Sequence, residues 1–487
     1  MSPETAILLA LALPLAGVVL TTLFSRTPNL REASTLVVGV ATFYVVTTLV
    51  PEVTAGGRPE VSLFQLLPGL DVAFRVEPLG MLFALVASGL WIVTTCYSIG
   101  YMRGHNEGHQ TRFYSCFAAA IFAAVGAALA ANVLTLFFFY EILTLSTYPL
   151  VAHHGTKKAM RGARTYLGIL LTTSVLFLLF AVVWTWVLAG TLDFREGGIL
   201  AGRASDTQLV VLLALYAFGT GKAALMPFHR WLPAAMVAPT PVSALLHAVA
   251  VVKVGVFTIM KIAVYVFGVD VLASTGVSIW LMYVAGATVL LASLVALTKD
   301  NLKARLAYST ISQLSYVVLG AALANPWSVI GGSMHIAMHA FGKITLFFCA
   351  GAIYVTAHKT EISDMTGIGR TMPVTTFAFL LGALSVIGLP PLGGSWSKWY
   401  LALGAAEAHQ VVFVAVLMIS SLLNIAYLMP VVARGFFCAP APGDAKPRIK
   451  EAPMFCVVPL CFTALGSLAL FFLADEIYRL LEPITRT

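Results

Sequence analysis

Apolar segments of about twenty residues recur along almost the whole chain, and they constrain its fold more than any other feature. A segment of that length spans the hydrocarbon core of a bilayer as a helix. Only 10% of the residues are charged, whereas a soluble domain has about 25%. The segments are continuously apolar rather than alternating, which excludes a membrane β-barrel. The sequence therefore predicts an all-α polytopic membrane protein.

Fourteen spans are predicted, within a single integral membrane domain over residues 1–487. Glu4, and no basic segment, precedes the first span, so we expect a retained helix and not a signal peptide. The loops are too short for a soluble domain, and the longest lie near 54–77 and 434–452. The predicted spans cover residues 6–24, 33–53, 78–100, 113–129, 133–152, 165–190, 206–228, 241–268, 274–298, 306–323, 326–357, 374–408, 410–433 and 453–474.

The basic residues outside the spans predict an orientation. Of the 24 in loops or at the termini, 18 fall in odd-numbered loops and six in even-numbered loops or the termini. Loops rich in Lys and Arg stay in the cytoplasm. Both termini are therefore expected on the outer face of the cell membrane. The net charge of +8 is explained by this orientation and not by a nucleic-acid partner.

Two of the predicted spans are interrupted by helix breakers. The first reads "GTGKAALMPFHRWLPAAMVAPTPVSALLHAVAVVKVG" over 219–255, and the second reads "LSVIGLPPLGGSWSKWYL". Proline removes a backbone donor, and the freed carbonyls must find protein or water partners inside a bilayer. Paired interruptions in two halves of a membrane protein indicate a repeat with an ion site at the breaks. The spacing fits two five-helix units, spans 4–8 and 9–13.

Charged side chains inside the spans are the strongest functional signal, because each costs about 2.5–3.5 kcal/mol at mid-bilayer. Glu141 is the one acidic residue well inside a span, and Lys222 lies about one turn before the first break. Glu141 is either one half of a structural ion pair or a charge that controls the proton affinity of a lysine. Lys222 is either the switched lysine or a side chain that reaches the cytoplasmic surface.

Further titratable residues follow the first break. Lys253 lies near the middle of its span, and we expect it to carry a proton at mid-membrane. Lys261, two turns further on, either extends toward the outer surface or takes part in the pathway, and its role stays open. His247 is either a proton relay or a histidine satisfied by helix packing.

The second half of the chain repeats this pattern. His335, His339 and Lys343 are four residues apart and project from one helix face. They can serve as a proton relay, as structural hydrogen-bonding groups or, least favoured, as metal ligands. Lys398 follows the second break and either ends the pathway on the outer side or caps a half-helix. Together these groups favour proton or cation conduction.

Other chemistries lack their sequence signatures. The six cysteines form no CxxC pair and no iron–sulfur or haem pattern. The chain contains neither GxxxxGK[ST] nor GxGxxG, so no nucleotide site is predicted. We therefore predict no cofactor, no resident metal and no catalytic residues.

The stretch "GKAALMPFHRWLPAAMVAPTPVSALLHAVAVVKVGVF" resembles the proton-translocating antiporter-like family. That family comprises large membrane subunits of complex I, of membrane-bound hydrogenases and of Mrp-type Na⁺/H⁺ antiporters. The segments "FYEILTLSTYPLV", "DNLKARLAYSTISQLSYVVLG", "HIAMHAFGKITLFFCAGAIY" and "GLPPLGGSWSKWYL" support the resemblance, which covers about residues 78–435. Length and pattern are most similar to the D-type component of Mrp-type antiporters.

The resemblance implies fourteen helices in two inverted five-helix repeats, with helices 7 and 12 broken. It implies helices 1–3 over 1–105, repeats over 106–270 and 271–436, and helix 14 over 437–487. By position, Glu141 and Lys222 match a glutamate–lysine pair, Lys253 a helix-8 lysine, and Lys398 a terminal lysine; His335 and His339 lie in the helix-11 histidine region. The implied partners are other membrane subunits of an antiporter or redox complex, the lipid bilayer, protons and Na⁺. In a redox complex the implied activity is that of an NADH:quinone oxidoreductase, with the redox chemistry in other subunits.

Overall fold

Helices dominate the computed structural model, which describes residues 1–439 and 449–485; the side chains of Leu67, Leu246 and His247 lie outside the description. Within those residues, eleven helices are long and apolar enough to cross a membrane, or twelve if one bent pair counts as a span. Two shorter apolar helices lie at the two predicted breaks. The prediction of an all-α polytopic membrane protein is confirmed. The exact number of fourteen crossings and the inverted repeats stay predictions.

The first half of the chain contains, in order, α1 (Pro3–Leu23), α2 (Pro28–Thr47), α3 (Val50–Thr54), β1 (Glu60–Leu67), β2 (Leu70–Arg75), α4 (Pro78–Gly104), α5 (Gln110–Leu129), α6 (Val133–Val151), α7 (Lys157–Thr173), α8 (Leu179–Ala189), α9 (Asp206–Gly219), α10 (Trp231–Ala234), α11 (Thr240–Ala244) and α12 (Val251–Ile262). The second half contains α13 (Val269–Thr275), α14 (Ile279–Leu297), α15 (Leu302–Leu323), α16 (Pro326–Ala357), α17 (Ile368–Thr371), α18 (Pro373–Ile387), α19 (Gly394–Glu407), α20 (Val411–Phe437), α21 (Met454–Phe472) and α22 (Ala474–Leu481). π-Helical turns join α7 to α8 and α11 to α12, and a third follows α12.

Side-chain caps explain where several spans begin. The Asn132 side chain accepts a hydrogen bond from the Thr135 N–H at 2.8 Å and starts α6 only three residues after α5 ends. Asn325 caps α16 in the same way and forms a capping box with Ser328. Such caps satisfy N–H groups that have no partner inside the helix. The short predicted linkers before these two helices are confirmed.

The predicted loop near 54–77 is wrong in one respect, because it contains an antiparallel hairpin of β1 and β2. In β2, apolar Val72 and Phe74 are buried between the half-exposed polar residues Asp71 and Arg75. This alternation is the strand period, but it is short and lies between much longer apolar runs. The hairpin packs onto the start of α6, where the Ala131 N–H donates to the Ala73 carbonyl at 3.0 Å.

Both predicted interruptions are confirmed. After α9 ends at Gly219, a 3₁₀ turn covers Gly221–Ala223, and α10 begins only at Trp231. Lys222 therefore lies in the break itself and not one turn before it, because the helix ends earlier than its apolar run suggests. The second break separates α18 from α19, and Gly388 between them has a φ of 93°, which favours glycine.

The centre of the protein is formed by α12, α15 and α16. The apolar windows of α15 and α16 are 94% buried, compared with 39% in α1 and 33% in α21. Every residue of α12 is buried as well. Small residues permit this close packing: a Cβ on Gly351 of α16 would lie 2.1 Å from the Tyr97 hydroxyl. The predicted ion-handling residues of α12 and α16 thus lie in the interior.

Candidate functional site

Lys222 is fixed in the first break by contacts to α6. It has no exposed surface. Its Nζ donates to the Tyr140 carbonyl at 2.8 Å and to the Thr144 hydroxyl at 2.5 Å, and lies 3.1 Å from the centre of the Tyr140 ring. The Tyr140 hydroxyl in turn accepts the Lys222 backbone N–H at 3.0 Å. The alternative that Lys222 reaches the cytoplasmic surface is therefore wrong.

The Glu141–Lys222 ion pair expected from the sequence is not formed in this conformation. The Lys222 ammonium contacts the residue before Glu141 and the residue three after it, while both Glu141 carboxylate oxygens are buried without a hydrogen-bond partner. The two groups lie within electrostatic range of each other. Buried polar groups of folded proteins are paired with protein or water. The carboxylate is thus placed for a partner that arrives by movement of Lys222 or by water.

A glycine brings the first break against the helix that carries Lys253. A Cβ on Gly255 would lie 2.4 Å from both the Ala223 nitrogen and the Lys222 carbonyl carbon. Because a real Cβ never approaches backbone so closely, α12 can pack directly on the 3₁₀ turn only with glycine here. Lys222 and Lys253 are thereby placed on elements in direct contact.

Lys253 joins the two halves of the chain. Its Nζ lies 2.6 Å from His339 Nδ1, and both residues are buried. The His339 ring stacks on His335 with centroids 5.6 Å apart, and His335 Nδ1 lies 2.9 Å from the Ser397 hydroxyl of α19. The predicted common face of His335 and His339 therefore faces Lys253 on one side and the second broken span on the other.

Lys398 lies next to this line across a tyrosine ring. Tyr316 stacks on His335 at 5.3 Å, and the Lys398 Nζ lies 4.8 Å from the centre of the same ring. Lys398 also donates to the Ile387 carbonyl at 2.9 Å and to the Ser421 hydroxyl at 3.2 Å. Ile387 is the last residue of α18, so Lys398 does cap a half-helix. The capping contact and the proximity to the histidines are both present.

Lys343 forms a branch from this line. Its Nζ donates to the Ser309 hydroxyl at 2.6 Å, and Ser309 also accepts from the Tyr427 hydroxyl at 2.8 Å. Lys343 is fully buried on α16, one turn beyond His339. The serine and tyrosine that receive it come from α15 and α20, and no sequence pattern pairs them with a lysine.

Lys261 has a partner that the sequence did not indicate. Its Nζ lies 3.1 Å from Glu77 Oε2 and donates to the Ala130 carbonyl at 2.7 Å. Lys261 has no exposed surface, so the alternative of an extension to the outer surface is wrong. Glu77 precedes α4 directly and was missed because it stands one residue outside a predicted span; its proline neighbour, which marks a helix start, was the available signal.

Several buried polar atoms along this line have no protein partner. They include both Glu141 oxygens, the Ser333 hydroxyl and the Nε2 atoms of His335 and His339. Such atoms in a buried polar region are places for ordered water. Among the described residues, no group of three or more His, Cys, Asp or Glu side chains could hold a metal ion. His247 falls outside the described side chains, and its predicted role stays a prediction.

Buried lysines and histidines in contact across two broken membrane helices define an antiporter-like membrane subunit. The chain belongs to the family described as NADH:quinone oxidoreductase/Mrp antiporter, TM, whose model matches residues 130–424. The match contains every predicted pathway residue from Glu141 to Lys398. The resemblance seen in the sequence is therefore confirmed at the level of the family.

Individual relatives cover most of the chain. NADH-quinone oxidoreductase subunit N of Desulforudis audaxviator is 33% identical over 84% of this chain and 84% of that protein. The D-type component of the Na(+)/H(+) antiporter of Alkalihalophilus pseudofirmus is 28% identical over 72% of this chain and 70% of that protein. Other relatives are longer, and the chain spans 43% to 65% of three of them.

The fold is that of a known membrane complex subunit. A chain in the structure of the Mrp complex from Dietzia sp. DQ12-45-1b matches with a TM-score of 0.88 and 23% identity, over 100% of this chain and 97% of that chain. Relatives and structural neighbours are subunits of multisubunit membrane complexes. The chain is thus a multi-pass, antiporter-like membrane subunit.

Proposed function

We propose that the chain is the proton-conducting subunit of a multisubunit Na⁺/H⁺ antiporter of the Mrp type. The observation that carries this proposal is the 2.6 Å contact between Lys253 Nζ and His339 Nδ1. It joins α12 of the first half to α16 of the second, and so links the lysine at the first break to the histidines and the lysine at the second. A continuous line of titratable groups is what proton transfer inside a bilayer requires.

The proposed mechanism uses Lys222 as a switch. Next to Glu141 the ammonium form is favoured, and away from the carboxylate a buried lysine favours its neutral form. Lys222 moves between Glu141 and its contacts with Tyr140 and Thr144, and so takes up and releases a proton. The proton then passes by water to Lys253.

The second half of the chain takes the proton onward in this mechanism. It passes from Lys253 to His339 and His335, whose rings are in contact, and then to Lys398. His247 and Lys343 supply side branches of the same route. We further propose that the chain lies in the cell membrane with both termini on the outer face, as the distribution of basic residues predicts. Other membrane subunits complete the complex, and Na⁺ moves in the opposite direction.

A second candidate is the proton-pumping subunit of an NADH:quinone oxidoreductase or a membrane-bound hydrogenase. The observation that favours it is the 33% identity to an oxidoreductase subunit, compared with 28% to the Na(+)/H(+) antiporter component. In that case the driving force is electron transfer in another subunit. The redox chemistry then lies outside this chain.

The test is proton transport in membrane vesicles that contain the chain with its partner subunits. A Na⁺ gradient that drives proton movement supports the antiporter, and proton movement driven only by electron donors supports the redox complex. Glu141→Ala and Lys222→Ala should each abolish proton movement while the complex stays assembled, as judged by co-purification. Wild-type transport in either variant would refute the switch.

A further inference from the structure

A carboxylate surrounded by histidines lies at one end of the helices, outside the line described above. Glu107 follows α4, and its carboxylate is 4.0 Å from His105 Nε2, 4.0 Å from His153 Nε2 and 3.6 Å from His154 Nδ1. His105 belongs to the same loop, whereas His153 and His154 follow α6. This group, the Glu107 cluster, is composed of loops that the basic residues place on the cytoplasmic face.

The Glu107 carboxylate is close to water but not fixed. Its side chain is 9% exposed, and those of His105 and His154 are 28% and 36% exposed. The distances to the imidazoles exceed hydrogen-bonding distance, and among the described residues no side-chain hydrogen bond to this carboxylate is formed. A group held by nearby charge alone can exchange protons with water and with its neighbours. A purely structural ion pair would instead be held by direct hydrogen bonds.

A cavity of about 430 Å³ leads inward from the Glu107 cluster. Its walls include His105, Glu107 and His154 at the mouth, Lys303 of α15, and Ala350 of α16. Lys303 lies within electrostatic range of Glu107 and donates to the Ala238 carbonyl at 2.6 Å. The cavity thus connects the cluster with the end of the first break and with the central helix α16.

The inner end of this cavity points toward Lys343. Ala350 and Tyr354, which both line the cavity, stand seven and eleven residues after Lys343 on α16. Seven residues are two helical turns, so these positions share one face. The rise of 1.5 Å per residue places Ala350 about 10 Å along the axis from Lys343. Lys343 is the residue of the buried line closest to this cavity along α16.

Other charged and titratable groups surround the cluster. Burial, followed by the positive charge of His154 and Arg112, lowers the pKa of His153 to about 4, so His153 stays neutral near physiological pH. The exchangeable members are therefore Glu107, His105 and His154. The groups that face them from neighbouring elements are Tyr101, His109, Arg112, Lys158, Lys303, Tyr354, His358, Lys359 and Glu361.

We propose that the Glu107 cluster takes up protons from the aqueous phase on its face of the membrane and delivers them through the cavity toward Lys343. This inference rests on the proposed proton-conducting function and adds an entrance to it. A carboxylate with adjacent imidazoles raises the local supply of protons where bulk protons are scarce. Loss of the cluster should therefore matter most at alkaline pH.

The test compares pH profiles of proton transport by the complete complex in vesicles. The pH on the cluster side is varied from about 6 to about 9, a range around the ordinary histidine pKa of about 6.5. The variant carries Glu107→Gln, His105→Gln and His154→Gln together. Its flux should be about tenfold lower than wild type at the alkaline end, the lower limit of charge-steered association. The deficit should narrow as the pH falls.

Two further variants make the result specific. Glu107→Asp keeps the carboxylate and should restore most of the alkaline flux. The control carries Glu407→Gln and His409→Gln, exposed residues at the far end of α19, and should match wild type at every pH.

Two outcomes would overturn the entrance: a triple variant with the wild-type profile, or one whose flux falls equally at all pH values. Lys222→Ala is measured alongside it to separate the two proposals. An inactive Lys222→Ala together with a wild-type triple variant refutes the entrance alone. Wild-type flux in Lys222→Ala refutes the proposed function itself.

Discussion

Gly255→Ala tests the packing that places Lys222 beside the helix of Lys253. The added methyl group would lie 2.4 Å from two backbone atoms of the 3₁₀ turn, the Ala223 nitrogen and the Lys222 carbonyl carbon. Both segments are backbone in a buried region, so neither can move aside as a flexible side chain does. A displacement of about 1 Å is needed to restore ordinary van der Waals contact.

The magnitude follows from two opposing effects. Overpacking of a well-packed interior costs about 1–3 kcal/mol. Alanine in place of glycine inside a helix returns about 0.5–1 kcal/mol. The variant should therefore be less stable by roughly 0.5–2 kcal/mol. Its transport should fall much further, because a misplacement of about 1 Å between reacting groups can reduce a rate about 100-fold.

The assay combines thermal unfolding of the purified complex with proton flux in vesicles. Gly168→Ala is the matched control: it is also a helical glycine, on α7, but a Cβ there meets nothing within 4 Å. The control should keep wild-type flux and unfold at the same or a slightly higher temperature. Wild-type flux in Gly255→Ala would refute the close approach as a requirement for transfer between Lys222 and Lys253.

Two further variants test contacts outside the first break. Lys261→Ala leaves Glu77 buried without its cation, and breaking a buried pair costs about 3–5 kcal/mol; the complex should unfold at a clearly lower temperature, and an unchanged temperature would exclude a stabilising pair. Glu77→Gln combined with Lys261→Met removes both charges and should recover part of that loss. Ser397→Ala removes the side-chain contact of His335 and should lower flux about fivefold, equivalent to the ~1 kcal/mol of one hydrogen bond; unchanged flux would place Ser397 outside the route.

Much of the fold follows from local sequence. Continuous apolar runs locate the membrane helices, and proline–glycine clusters locate both breaks, because these effects depend on nearby residues only. The common face of His335 and His339 also follows from helical spacing. The β1–β2 hairpin was missed because its alternation is short and adjoins long apolar segments.

Contacts between helices could not be predicted in the same way. Lys222 donates to Tyr140 and Thr144, and not to Glu141 between them, because the rotation of α6 against the break decides which atoms meet. Periodicity shows which face of a helix is apolar but not which helix lies opposite. The Glu107 cluster illustrates the same limit, since His153 and His154 stand more than forty residues away in the chain.

The central claim is that protons pass through Lys253 between the two halves of the chain. Its most direct test is proton flux in vesicles that contain the complex with Lys253→Ala, beside Lys158→Ala, which removes an exposed lysine at the start of α7. Loss of the 2.6 Å contact to His339 should abolish flux while the complex remains assembled. The Lys158→Ala complex should retain nearly wild-type flux. Wild-type flux in Lys253→Ala would contradict the proposed route.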